Sequence, residues 1–259
     1  MSGVHRPKKH LGQNFLINPY VQQRIIQSCA FKQEDTVVEI GPGQGALSCL
    51  IAPLVRRLIC VEADRDLIAP LGLSLPSSVE IIQADFLKWD MGHLPNRIKV
   101  IGNIPYYIST PIIEKLITER IKVSEAFLTV QKEFQERLTA KPGGKDFGSL
   151  TCFAEYYADI KMLFKINHAS FKPAPKVDSA FIRLSMRSFK EKAEDEDFLF
   201  KLTQTAFSQR RKTIVNALKG LVPSQKLEKE ILLLGLSVTA RAENLSVLDY
   251  VALSNKLVL

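Results

Sequence analysis

The chain has 259 residues, 46% hydrophobic and 24% charged, a balance that excludes a disordered chain and lets one or two domains bury a core without disulfides. Its longest apolar runs, Ser48 to Leu54 and Ile231 to Leu236, fall far short of the roughly 20 residues a membrane-spanning helix requires, and Gln13, Asn14, Asn18 and Pro19 interrupt any leader-like core. The net charge of +8 favours a partner rich in negative charge, nucleic acid before a membrane surface.

Short β-branched or apolar runs at Val37 to Ile40, Leu58 to Glu62, Val79 to Gln83, Ile98 to Ile101 and Glu125 to Gln131 read as strands. Helix-compatible stretches lie between them at Ala46 to Arg56, Asp66 to Leu73 and Pro111 to Thr118. This alternation predicts an α/β fold, a mostly parallel doubly wound sheet with its binding crevice at the carboxyl ends of the strands. Another helix-compatible segment follows Lys132, then a Lys141-Pro142-Gly143-Gly144 loop and an aromatic stretch from Phe147 to Phe164. Strands are expected at Ala158 to Ile166 and Val177 to Met186, and the charged run Phe189 to Asp197 reads as a linker. Beyond it Phe198, Leu202, Ala206, Ile214, Leu218, Leu227 and Ile231 recur at helical spacing. The domain boundaries are therefore set at 1–188 for a Rossmann-like domain and 189–259 for a small all-helical one.

Cys29, Cys49, Cys60 and Cys152 lack any Cys-x-x-Cys spacing and read as small core residues in a reducing, cytoplasmic compartment. His5, His10, His93 and His168 are scattered without ligand spacing, so no metal is expected. The chemistry instead gathers after the strands. Glu39-Ile40-Gly41-Pro42-Gly43-Gln44-Gly45-Ala46 closes the first strand, where glycines permit a sharp turn and close approach of a ligand to the main chain. Gly41, Gly43 and Ala46 fit a dinucleotide fingerprint; Glu39 and Gly45 fit the loop of S-adenosylmethionine enzymes. Glu62, ending the second strand, suits ribose hydroxyls under both readings. Asp85 can accept from an adenine amine or simply cap a helix; with no hydride-transfer site in view, the set favours S-adenosylmethionine.

Asn103-Ile104-Pro105-Tyr106 follows the fourth strand. An adenine amine is a poor nucleophile because its lone pair is conjugated into the ring. The Asn103 side-chain oxygen and the Pro105 carbonyl can each accept one N–H and aim that lone pair at a methyl group, while Tyr106 offers a stacking face.

In this order the motifs make the chain resemble the small-subunit rRNA adenine dimethyltransferases, from His10 almost to the C-terminus. The matching pieces are His10-Leu11-Gly12-Gln13-Asn14-Phe15-Leu16, the glycine loop, Glu62-Ala63-Asp64-Arg65-Asp66-Leu67 and Asn103-Ile104-Pro105-Tyr106-Tyr107-Ile108-Ser109-Thr110. Gln131-Lys132-Glu133, Phe171-Lys172-Pro173-Ala174-Pro175-Lys176, Phe207-Ser208-Gln209-Arg210-Arg211-Lys212 and Arg241-Ala242-Glu243-Asn244-Leu245 continue the match. The resemblance implies a class I methyltransferase domain with a helical C-terminal domain, and dimethylation at N6 of two adjacent adenosines. It implies that Asn14, Leu16, Gly41, Gly43, Glu62, Asp85 and Asn103 contact S-adenosylmethionine, and that the target adenine sits by Asn103, Pro105, Tyr106 and Phe171, with Phe171 as second stacking face. Ile104 and Tyr107 depart from the commoner Leu and small polar residue. The expected partner is small-subunit rRNA in a ribosomal subunit precursor, with no membrane and the enzyme acting as a monomer. Arg6, Lys8 and Lys9 in the N-terminal arm and Arg210, Arg211 and Lys212 in the helical part are expected on phosphates. The rivals are a macrolide-resistance-type methyltransferase of the large subunit and a non-catalytic nucleic-acid-binding relative. Phe207 to Lys212 and Arg241 to Leu245 weigh against the first, Asp85 and the Asn103 tetrapeptide against the second.

Overall fold

A computed structural model describes residues 7–8, 11–188 and 191–258. Its strands are β1 (Phe15–Leu16), β2 (Thr36–Ile40), β3 (Arg57–Glu62), β4 (Glu80–Gln83), β5 (Ile98–Asn103), β6 (Val123–Gln131), β7 (Ala158–Ile166), β8 (Phe171–Lys172) and β9 (Ser179–Met186). Every residue of β2 is buried, the signature of a strand covered on both faces. It is flanked by β3 and β5 in a sheet ordered β4-β3-β2-β5-β6-β9-β7. The β2–β3, β3–β4, β2–β5 and β5–β6 pairings are parallel; β6–β9 is antiparallel. The chain therefore steps outward from β2 to β4, then jumps back past β2 to β5. That reversal opens a crevice beyond the carboxyl ends of β2 and β5, where Ile40 pairs with Gly102. Gly102 suits this close pairing: a Cβ there would stand 3.0 Å from the Ile40 carbonyl oxygen, tighter than ordinary contact.

Helices α1 (Pro19–Cys29), α2 (Ser48–Ile51), α3 (Arg65–Ser74) and α4 (Ser109–Thr118) accompany the parallel strands. Asn18 caps α1 by accepting from the Tyr20 and Val21 amides, and Asp64 caps α3 by accepting from Asp66. The stretch expected as one helix from Ala46 is instead the four-residue α2 followed by a 3-10 turn at Ala52–Leu54.

The described chain forms two compact units. One holds residues up to Gln135 together with Asp159–Met186; the other holds Glu136–Ala158 and the residues from Arg187 onward. The boundary read from sequence at 188/189 thus misses one excursion. After α5 (Lys132–Leu138), the aromatic stretch supplies a helix, α6 (Ser149–Tyr157), that belongs with α7 (Glu196–Ser208). Phe153, Tyr156 and Tyr157 of α6 surround Phe200 of α7 with ring centroids 4.9, 5.7 and 5.6 Å away. Asp195 caps α7 through the Phe198 amide, so the helix starts inside the charged run read as a linker. Helices α8 (Ile214–Leu218), α9 (Ser224–Leu233) and α10 (Val247–Leu257) complete this unit, with Tyr250 fully buried. Among the four cysteines, Cys49 is exposed, a correction to its reading as core.

Candidate active site

The crevice widens into a cavity of about 420 Å³ lined by residues 11–16, the glycine loop, Glu62, Asp85 and residues 103–108. Gly41 and Gly43 hold φ of +62° and +60°, the left-handed region that side chains resist. A Cβ on Gly41 would meet nothing within 4 Å, so its main chain faces open space. The same loop is fixed from below by Glu62. One carboxylate oxygen accepts from the Gly43 amide at 3.0 Å and the other from Asp64 at 2.8 Å. The Ala63 amide acts on the same carboxylate, which still has more acceptor sites than these three amides use. Burial pushes the Glu62 carboxyl above the usual range, against the pull of those amides.

Glu39 stands in the sequence only as part of the loop, yet it is the most deeply held acid in the site. It is buried at the β2 terminus, accepts from the Ser48 hydroxyl at 2.6 Å and has the Cys60 thiol 3.7 Å away. Burial raises its carboxyl to about 7, with the nearby Glu62 charge acting in the same direction.

Asp85 is exposed at the cavity wall and accepts from the Leu87 amide at 3.0 Å, so it caps the turn that follows β4 while bordering the cavity. Across the cavity, the Asn103 side-chain nitrogen donates to the Asn14 carbonyl at 2.8 Å. That bond uses the donor end of the amide and turns its oxygen the other way. The Pro105 carbonyl accepts from Ile108 at 3.2 Å, leaving one lone pair. Tyr106 is tethered by a 2.6 Å hydroxyl bond to Ser179, and burial pushes its phenol up.

The N-terminal segment forms the cavity's outer wall. Its β1 pairs with β8, Leu16 opposite Phe171, and both side chains enter the hydrophobic core. Phe171 is only 3% exposed and is absent from the cavity lining. This corrects its expected place as a second stacking face: register with Leu16 turns the ring into the core. Lys8 also departs from expectation. Rather than standing free, it pairs with Asp64 and, at 2.7 Å, with Asp66; its main-chain amide donates to the Gln13 oxygen. Gln13 in turn donates to Asp64 at 2.7 Å. Burial would raise the Asp64 carboxyl, but the hydrogen bonds from Lys8, Gln13 and Asp66 prevail and hold it low. Arg6 and Lys9 lie outside the described residues.

In the second unit Arg210, Arg211 and Lys212 are exposed together at the end of α7. Arg210 donates to the Lys145 carbonyl, and the Gly143 amide donates to Glu243 at 2.6 Å, so the Lys141 to Lys145 loop joins this basic end of the unit. Lys141 and Lys145 were not singled out from sequence, because loop closure onto residues so distant in the chain leaves no local pattern.

Comparison with known proteins adds three findings. The family profile described as "Ribosomal RNA adenine dimethylase" matches residues 4–258. Proteins named "Ribosomal RNA small subunit methyltransferase A" are 38% identical in Geobacillus thermodenitrificans, covering 96% of this chain and 90% of the relative, and 41% identical in Alcanivorax borkumensis, covering 97% and 90%. Among solved structures, a dimethyladenosine transferase from Plasmodium falciparum superposes with a TM-score of 0.77 at 27% identity, over 92% of this chain and 95% of that one. The 23S rRNA methyltransferase ErmE shares the fold at a TM-score of 0.76 and 24% identity, over 94% and 99%.

Proposed function

The chain belongs to the ribosomal RNA adenine dimethylase family, and from that premise we propose that it dimethylates N6 of two adjacent adenosines in small-subunit rRNA, with S-adenosylmethionine as methyl donor. The observation that carries the reading is the Asn103–Asn14 bond, which commits the Asn103 oxygen to act as an acceptor beside the Pro105 carbonyl.

The cavity fits such a cofactor on its own chemistry. Glu62 keeps acceptor capacity for a ribose hydroxyl, Gly41 leaves its main chain open, and Asp85 keeps acceptor capacity for an adenine amine. The bound cofactor supplies a methyl group activated by a sulfonium. The protein's own task is then positioning. Asn103 and Pro105 each accept one N–H of the target amine, which orients its lone pair and favours the positive charge that develops on nitrogen. Tyr106, held by Ser179, forms a fixed face for the base. Its raised phenol pKa keeps it neutral, so it serves as a stacking wall and not as a general base. The exposed Arg210, Arg211 and Lys212 would hold phosphates and set register without reading sequence.

The names and identities of the curated relatives favour the small subunit over the large one. Incubation of the protein with labelled S-adenosylmethionine and unmethylated small or large subunits tests this: label entering only the small-subunit RNA supports it.

A further inference from the structure

Tyr107 has no part in the site described so far, yet it borders the same cavity. It follows Tyr106 in a 3-10 turn, Tyr106–Ile108, whose three residues per turn point neighbouring side chains about 120° apart. Tyr106 and Tyr107 therefore cannot stack on one base. Tyr106 is tied back to Ser179, whereas Tyr107 leans outward and is 64% exposed. Its ring has a prepared seat. A Cβ built on Gly12 would stand 3.1 and 3.2 Å from two carbons of the ring and 3.3 Å from Pro105, so any larger residue would push the ring off this seat by a few tenths of an ångström. Gly12 also holds φ of +61°, a conformation that side chains resist. One side of the ring rests on the N-terminal wall and the rest stays open at the cavity mouth.

An adenine that enters the cavity must leave its stack, and the nucleotide next to it then exposes a bare face. We propose that Tyr107 is the stacking platform for the base adjacent to the target adenine. The assignment rests on the adenine reading above. It identifies what that reading leaves open: how the site grips the RNA next to the nucleotide it modifies. A flat aromatic face recovers stacking for any base, so this grip fixes the position of the strand and not its sequence.

The test is steady-state kinetics on unmethylated small subunits with Tyr107→Leu and Tyr107→Phe. Leucine fills the seat on Gly12 but offers no aromatic plane. Its KM for subunits should rise about tenfold, with kcat falling less and the Kd for S-adenosylmethionine unchanged. Phenylalanine should restore the subunit KM, since stacking needs the ring and not the hydroxyl. An unchanged subunit KM in the leucine variant would overturn the assignment. So would a parallel loss of cofactor affinity, which would make Tyr107 a wall of the cofactor site. Failure of the wild-type protein to methylate small subunits would instead strike the adenine reading itself, and Tyr107 with it.

Discussion

Asn103 reaches across the cavity to donate its side-chain N–H to the Asn14 carbonyl at 2.8 Å, joining residues 89 positions apart. The bond settles the orientation of an amide whose two ends would otherwise be interchangeable. It also ties the Asn103 tetrapeptide to the N-terminal wall of the cavity. Asn103→Ala should lower methyl transfer about 100-fold or more while weakening S-adenosylmethionine binding only modestly. Asn103→Asp keeps an acceptor but sets an oxygen against the Asn14 carbonyl, so it should be nearly as impaired. Single-turnover rates beside cofactor titrations separate the two effects, and wild-type turnover in either variant would remove Asn103 from the amine site.

Glu62 holds the Gly43 and Asp64 amides and, in the proposed site, also takes ribose hydroxyls. Glu62→Ala should lose the ribose acceptors and also release the Gly43 and Asp64 amides. Charge-assisted hydrogen bonds contribute about 1.5–3 kcal/mol each. Calorimetric affinity and melting temperature should therefore fall together; a drop in melting temperature alone would confine Glu62 to supporting the loop.

How much of this site could be read in advance depends on range. The strands β2 and β5 and the groups at their ends were legible because burial on both faces writes continuous apolar runs, and turns follow them. The two-residue strands β1 and β8 have no period to detect. Their pairing turns Phe171 into the core, against what the family resemblance implies; its proline-rich setting alone suggests packing. Lys8 looked like one more charge of a basic arm because its partner Asp64 lies 56 residues away. Helix α6 was hidden in an aromatic run that merges without a break into β7.

Lys8→Ala should accordingly loosen the wall over the cofactor. The expected result is weaker S-adenosylmethionine binding with an unchanged salt dependence of RNA binding. A reduced salt slope would return Lys8 to the phosphate contacts.

Glu39 gives a pH signature. Its folded carboxyl titrates near 7 against a reference of 4.5, so the folded state binds the proton more tightly than the unfolded chain does. Its contribution is therefore greatest below about pH 4.5, and it declines as pH rises to about 7, by on the order of 3 kcal/mol. Glu39→Gln keeps a neutral partner for Ser48 and should flatten that decline, gaining stability relative to wild type at pH 8 but not at pH 4.5. Denaturant unfolding of both proteins at the two pH values checks the sign.

For RNA, Arg211→Ala with Lys212→Ala is the cleaner test, since Arg210 also donates to the Lys145 carbonyl and its removal would disturb that loop. Each lost phosphate contact should reduce the slope of log affinity against log salt by about 0.7–0.9. Cofactor affinity should stay unchanged. An unaltered slope would make the pair a solvated face.

Nucleoside analysis of rRNA after the reaction tests the central claim most directly. Unmethylated small subunits incubated with the protein and S-adenosylmethionine should yield N6,N6-dimethyladenosine mapping to two adjacent positions in the small-subunit RNA, and Asn103→Ala should yield almost none. Methylation at another atom, or of large-subunit RNA in its place, would contradict it.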